Sequence, residues 1–294
     1  MTHQSLLLAY CIFQLVHITA SIVLSPIERF ALDNRLIKIK LNTKERFNTV
    51  NEERASDLVL IFPGAGGPDQ FTEELETTLT SYLNVGTSTA FSNPFAAAPV
   101  KSTVVKTLDW QEFRGTLLTA AYDGEAFGES IADILWNQCH QDQFTYSSIH
   151  CVGISVGAFA ANACANVLSE FRQHETDPSV PYLRLTLLDP FTSRGVLGSS
   201  YGDDNFGLTV DYAEQYLNTD DPVPSTNAPL PLCACIDVTG ALERDSFELP
   251  ENESYHCWPL VYFARYGYKD SVGNILIHDK DGSPSRGSVL IVSS

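Results

Sequence analysis

The chain has 294 residues, 44% hydrophobic and only 18% charged, which excludes a mainly disordered protein and leaves room for one large buried core. Thirty-six acidic against 18 basic side chains set the net charge at −18, a field that repels nucleic-acid phosphates and anionic membrane surfaces. No nucleic-acid partner is expected, whereas apolar contact with a lipid surface stays open.

Residues 1–25 contain no Lys, Arg, Asp or Glu, and Leu6 to Leu24 is almost wholly apolar, interrupted by Gln14 and His17. The segment reads as a signal peptide and so implies secretion. It lacks a basic start and is long enough to span a bilayer, so a retained N-terminal anchor is the alternative. Residues 26–294 then form a single domain. Beyond the leader lie six cysteines (139, 151, 164, 233, 235 and 257), an even number that permits up to three disulfides in an exported chain. Cys164, among small residues, reads as a buried thiol. Asn252-Glu253-Ser254 is a glycosylation sequon.

In chain order, Arg35 to Leu41 alternates Leu and Lys with Ile and predicts a short half-exposed strand. Asp57 to Phe62 is an apolar run with the look of a buried strand, and it breaks at Pro63-Gly64-Ala65-Gly66-Gly67-Pro68. A helix is expected over Gln70 to Leu83, then a loose stretch with Phe91, Pro94, Phe95 and Pro99 that reads as a flap or a long connection. Thr103 to Trp110 is a strand, and Gly115 to Cys139 carries helical spacing. Ile149 to Ile154 is a further apolar strand, followed by an Ala-rich helix. Tyr182 to Leu188 is a strand ending in Asp189-Pro190. Residues 191–209, with Phe191, Tyr201 and Phe206, read equally as a substrate-covering loop or an ordinary excursion. Strands over Val210 to Leu217 and Leu232 to Val238 precede a helix opened by Tyr255-His256-Cys257-Trp258-Pro259. Alternating strands and helices predict an α/β fold with a mostly parallel central sheet and helices on both faces.

The chemistry centres on Gly153-Ile154-Ser155-Val156-Gly157, a G-x-S-x-G motif between a strand and a helix. Such a turn holds its serine in a strained, exposed conformation, and bulk two residues to either side would collide with neighbouring elements. Ser155 is the candidate nucleophile. A serine at neutral pH needs a general base within hydrogen-bond reach. Of the seven histidines, His3 and His17 lie in the leader, His150 sits too far back on the strand, and His278 is in the tail. His256 follows the last expected strand and is the candidate base. Asp189 and Asp221 each end a strand between serine and histidine, so spacing alone does not choose the acid. The glycine-rich loop after the first buried strand can bring backbone N–H groups to a ligand oxygen. The N–H groups of Ala65 and Val156 are the candidate oxyanion donors.

From residue 58 to about 266 the chain resembles lipases of the α/β-hydrolase superfamily. Leu108-Asp109-Trp110, Gly153 to Ala158 and Leu188-Asp189-Pro190 look like the pancreatic lipase family, a resemblance that implies Asp189 as the acid. Asn218-Thr-Asp-Asp-Pro-Val-Pro224 looks like the corresponding motif of fungal (class 3) lipases, which implies Asp221, and the aromatic stretch after His256 is similar to the fungal base region. Asp221 is favoured and Asp189 is the alternative. The chain differs from both families at Ile154 and Val156, and fewer than 30 residues follow the His256 helix, too few for a second lipid-binding domain.

The resemblance implies the α/β-hydrolase fold and a serine carboxylic-ester hydrolase, a lipase acting on acylglycerol or related lipid esters, with no metal or organic cofactor. The alternatives are a thioesterase, phospholipase, galactolipase or acyltransferase of the same fold, or a non-catalytic lipid-binding protein on a lipase scaffold.

Overall fold

Successive residues of the first strand serve two different cores. In β1 (Asp57–Phe62), Leu58, Leu60 and Phe62 pack to one side and Val59 and Ile61 to the other, as the period of two requires. All five are buried, and each apolar side chain of this size contributes roughly 1.5–3 kcal/mol by leaving water. The same division runs across a seven-stranded, all-parallel sheet in the order β2-β1-β3-β4-β5-β6-β7. Its other strands are β2 (Thr103–Thr107), β3 (Ser148–Ile154), β4 (Tyr182–Leu188), β5 (Tyr212–Leu217), β6 (Ala234–Gly240) and β7 (Val289–Ser293). The computed structural model describes residues 26–47, 56–88, 103–142, 144–174, 180–194, 198, 200–251, 253–267 and 284–293. The expected leader, Phe91, Pro94, Phe95, Pro99, Asn252 and His278 lie outside them.

Helices cover both faces. On one side lie α3 (Leu117–Asp142) and α4 (Gly157–His174), with Phe127, Ile131 and Leu135 packed against Phe159, Cys164 and Leu168. On the other lie α2 (Gln70–Ser88) and α6 (Trp258–Arg265), joined through Phe71, Leu75, Leu79, Val261 and Phe263. A short α5 (Tyr201–Asn205) precedes β5. The bounds expected for β1 and β4 match the observed ones, and the expected α/β class holds.

One expectation fails. Arg35 to Leu41 belongs to a helix, α1 (Pro26–Arg46), rather than a strand. Only every third or fourth residue turns inward: Ile39 and Thr43 are buried, while Ile37 is 57% and Leu41 64% exposed. Arg35, Lys40 and Lys44 pair with Asp123, Glu129 and Asp133, so α1 runs alongside α3 with three ion pairs in step. The cysteines form no disulfide: all six in the described residues are free. Cys164 packs on Cys151, and that contact together with burial pushes its thiol well above its ordinary range. Among the described residues no helix is long and apolar enough to cross a membrane.

The chain visits β1, steps out to β2, and then returns to the far side of β1 as β3. At this reversal the connections from β1 and β3 leave in opposite directions, the position at which open parallel sheets generally bind ligands. The glycine-rich loop and Ser155 lie there, at the carboxyl ends of those two strands.

Candidate active site

The left-handed backbone region is costly for residues with a Cβ, of order 1–3 kcal/mol. Among the described residues it holds only three non-glycines, Ser155 (φ 52°), Asp189 (φ 46°) and Ser225 (φ 65°). All three lie in the loops at the carboxyl ends of β3, β4 and β5. The strain at Ser155 is held by backbone bonds on both sides. Its N–H donates to Leu188 O (3.0 Å), and its carbonyl accepts from Phe191 N (3.1 Å) and Ala158 N (3.1 Å). The helix behind it approaches so closely that a Cβ at Gly157 would lie 2.2 Å from Phe62 O and 2.5 Å from Pro63 O.

The glycine-rich loop is brought against this turn. A Cβ on Gly64 would stand 3.3 Å from Ser155 Cβ. The loop is shaped by Gly67 N donating to Gly64 O (3.1 Å), and it is tied down from the end of β2. Buried Trp110 donates through Nε1 to Pro63 O (2.8 Å), and Gln111 Nε2 donates to Gly66 O (3.0 Å). Among the described contacts the N–H groups of Ala65 and Val156 donate to no protein acceptor, which leaves both for a ligand oxygen.

His256 enters on a 3₁₀ turn, Tyr255–Cys257, capped by Ser254, whose hydroxyl accepts from His256 N (3.3 Å). Asn218 Nδ2 holds this turn through Tyr255 O (2.9 Å), and Trp258 Nε1 anchors the following helix to Val238 O (2.8 Å). The imidazole Nδ1 faces two carboxylates at once, Asp221 Oδ2 at 2.6 Å and Asp189 Oδ2 at 3.0 Å. Both acid side chains are buried, and the imidazole is 22% exposed. Asp221 accepts from Thr226 Oγ1 (2.6 Å) and Val223 N (3.0 Å), while Asp189 accepts from Asn218 N (3.2 Å) through its other oxygen. Neighbouring Asp220 turns away to Arg244, 2.7 Å off.

Burial opposes charge on the ring, yet the two carboxylates outweigh it and push His256 up to about 10. Asp189 is pushed up to about 7, by burial first and by Asp221 beside it, against the pull of His256. Asp221 is buried too, but the bonds from His256, Thr226 and Asp189 hold it below its ordinary range. The three ligand atoms lie within 4.8 Å of one another, a spacing at which a metal is conceivable. A separation of 2.6 Å is nevertheless a hydrogen bond; a tetrahedral zinc with bonds of about 2.0–2.2 Å keeps its ligand atoms roughly 3.3 Å apart.

The structure thus brings His256, Asp189 and Asp221 into one cluster and sets Ser155 beside Gly64. Among the described residues no hydrogen bond joins Ser155 to His256; such bonds are commonly loose before substrate arrives. Elsewhere, His150 is buried and bonded to Thr186 Oγ1 (2.7 Å) within the sheet. The stretch at 201–206 packs inward on α4: Tyr201 stacks on Phe159 (5.6 Å) and Phe206 meets it edge-on (5.1 Å), fully buried. The supports from Trp110, Asn218 and Thr226 went unread in the sequence, though Trp110 and Asn218 stood within noted motifs. Comparison with family models and with curated proteins finds no match to this chain.

Proposed function

We propose that this chain is a serine ester hydrolase of the α/β-hydrolase type, acting on lipid or other apolar acyl esters. The reading is carried by the left-handed Ser155 (φ 52°), at a strand-to-helix turn beside a glycine-rich loop and one strand away from Asp189, which bonds His256. Ser155 Oγ attacks the ester carbonyl as His256 Nε2 takes its proton. Asp221 holds the Nδ1–H and stabilises the imidazolium that forms. The N–H groups of Ala65 and Val156 receive the developing oxyanion, and one such donor is typically worth about 10²–10³ in rate. Collapse expels the alcohol, which takes the proton back from Nε2. Water then hydrolyses the acyl-enzyme by the same route. The charge-free, apolar first 25 residues support export of the protein, by cleavage or as an anchor.

The test is labelling by an alkyl fluorophosphonate together with hydrolysis of a short-chain nitrophenyl ester. Wild type labels and turns over, and Ser155→Ala loses both. A wild-type protein that does neither refutes the proposal.

A further inference from the structure

We propose that His256 is served by two acids at once: Asp221 accepts the Nδ1 proton, and Asp189 is a positioning residue whose carboxyl closes over the same nitrogen and raises the basicity of the ring. This rests on the hydrolase reading above. A single carboxylate suffices to hold a catalytic imidazole in its tautomer. Here the carboxyl ends of two adjacent parallel strands each deliver one. The β4–β5 register pairs Leu188 with Tyr216, and Asp189 N donates to Tyr216 O (3.0 Å), so the chain past β5 returns beside Asp189. Asn218 N then donates to Asp189 Oδ1 (3.2 Å), which turns Oδ2 toward the imidazole at 3.0 Å, next to Asp221 Oδ2 at 2.6 Å. The left-handed backbone of Asp189 (φ 46°) aims that carboxyl, and the cost of such a conformation is what a positioning role would have to justify.

Two acids at one nitrogen carry a definite chemical consequence. Each favours the protonated ring, so a neutral base form of His256 exists only at higher pH than one acid would allow. The remaining charged and titratable groups around it pull little against this. Asp220 is engaged with Arg244 (2.7 Å), whose guanidinium lies 4.3 Å from the Tyr255 ring centroid. From the same turn come Glu253 and the Cys257 thiol, itself pushed up to about 12 by burial first and then by Glu253 and by Asp69 at the start of α2. Glu253 and Asp69 bring no positive charge against the imidazolium, and a thiol that stays protonated until about 12 is neutral. The hydrolase should therefore be an alkaline one, with Asp189 setting how alkaline.

The experiment follows the imidazole of His256 by nuclear magnetic resonance of the full chain, labelled in histidine, as pH is raised. The pH profile of ester hydrolysis is recorded alongside. Wild type is expected to titrate well above the ordinary value of about 6.5. Asp189→Asn should lower that midpoint by about one unit or more and move the acid limb of kcat/KM down by the same amount. Its plateau kcat should fall less than tenfold. Asp221→Asn should also lower the midpoint, but lose about 10³–10⁴ in kcat. An unchanged midpoint in Asp189→Asn overturns the two-acid proposal. So does a wild-type midpoint near the ordinary value, a measurement that needs no variant to fold. Shifted titrations without any wild-type hydrolysis would instead refute the hydrolase reading and leave the two-acid arrangement standing.

Discussion

Replacing Gly157 by alanine pits two known effects against each other at the turn behind Ser155. Gly157 is the first residue of α4, where alanine is the better helix former by about 1 kcal/mol. Against that gain, the added Cβ would lie 2.2 Å from Phe62 O, 2.5 Å from Pro63 O and 2.9 Å from Phe62 C. These are backbone atoms of β1 and of the loop that follows it, so no side-chain rotation relieves the overlap. Overpacking of this kind costs typically 1–3 kcal/mol, and here the upper end applies because strand and helix must both shift. The net expectation is a loss of about 1–2 kcal/mol, read as a fall in Tm of roughly 2–3 °C by circular dichroism. Ester hydrolysis should fall further than stability, because the displaced atoms belong to the loop that carries Ala65. Gly66→Ala is the control. No heavy atom lies within 4 Å of a Cβ built there, so its effect should stay within about 0.5 kcal/mol. A Gly157→Ala protein as stable as wild type, or more so, would refute the reasoning.

Three further expectations follow from particular contacts. Trp110→Phe removes the donor to buried Pro63 O and should cost about 1–3 kcal/mol, with kcat falling about tenfold and KM moving little, read from steady-state kinetics and urea unfolding. Arg35→Met takes two hydrogen bonds from fully buried Asp123, at 2.8 and 3.0 Å, and leaves it only Gly115 N and Thr119 Oγ1; a loss of about 1.5–3 kcal/mol in urea unfolding is expected. Stability should also fall as pH rises. The raised His256 contributes stability that is complete below about 6.5 and is lost by about 10. The raised Asp189 adds a fall between the ordinary carboxylate range and about 7, since the unfolded chain gives up that proton first. The urea midpoint should therefore decline between pH 7 and pH 9.5, and His256→Ala should flatten that interval; a wild-type midpoint that rises across it would contradict the His256 shift.

Buried parallel strands were the easiest elements to read. Asp57 to Phe62 and Tyr182 to Leu188 announce themselves as short apolar runs because both of their faces are covered. The helix at Pro26–Arg46 was misread because Ile37, Ile39 and Leu41 give a period of two by chance. What the local pattern hides is that Ile39 and Thr43, one helical turn apart, are the buried positions, with ion pairs running to α3 nearly ninety residues away. Strand β7 was missed although Val289 to Val292 is a short apolar run; Val289, Leu290 and Ile291 are exposed at the sheet edge, and among the described residues their ladder partner is distant β6. The candidate site divides in the same way. Ser155 and His256 carry local signatures, but Asp189 and Asp221 carry the same one, a strand end followed by proline. The sequence posed a choice between them that strand adjacency dissolves, since both reach the same nitrogen.

The backbone bonds from Ser155 to Leu188 and Phe191 have a consequence for how such a site can vary. They make Ser155 and Asp189 parts of one ladder, whose spacing is set by strand pairing. His256 instead arrives on a separate turn, pinned by Asn218 at 2.9 Å and by Trp258 at 2.8 Å. The turn Leu242–Ser246 that precedes it has no buried residue and lies outside that ladder. Its residues are free to drift, or to be redesigned, so long as those two anchors, and Phe247 against Trp258, still find their partners. The site is thereby divided into a rigid half and a half that can be exchanged.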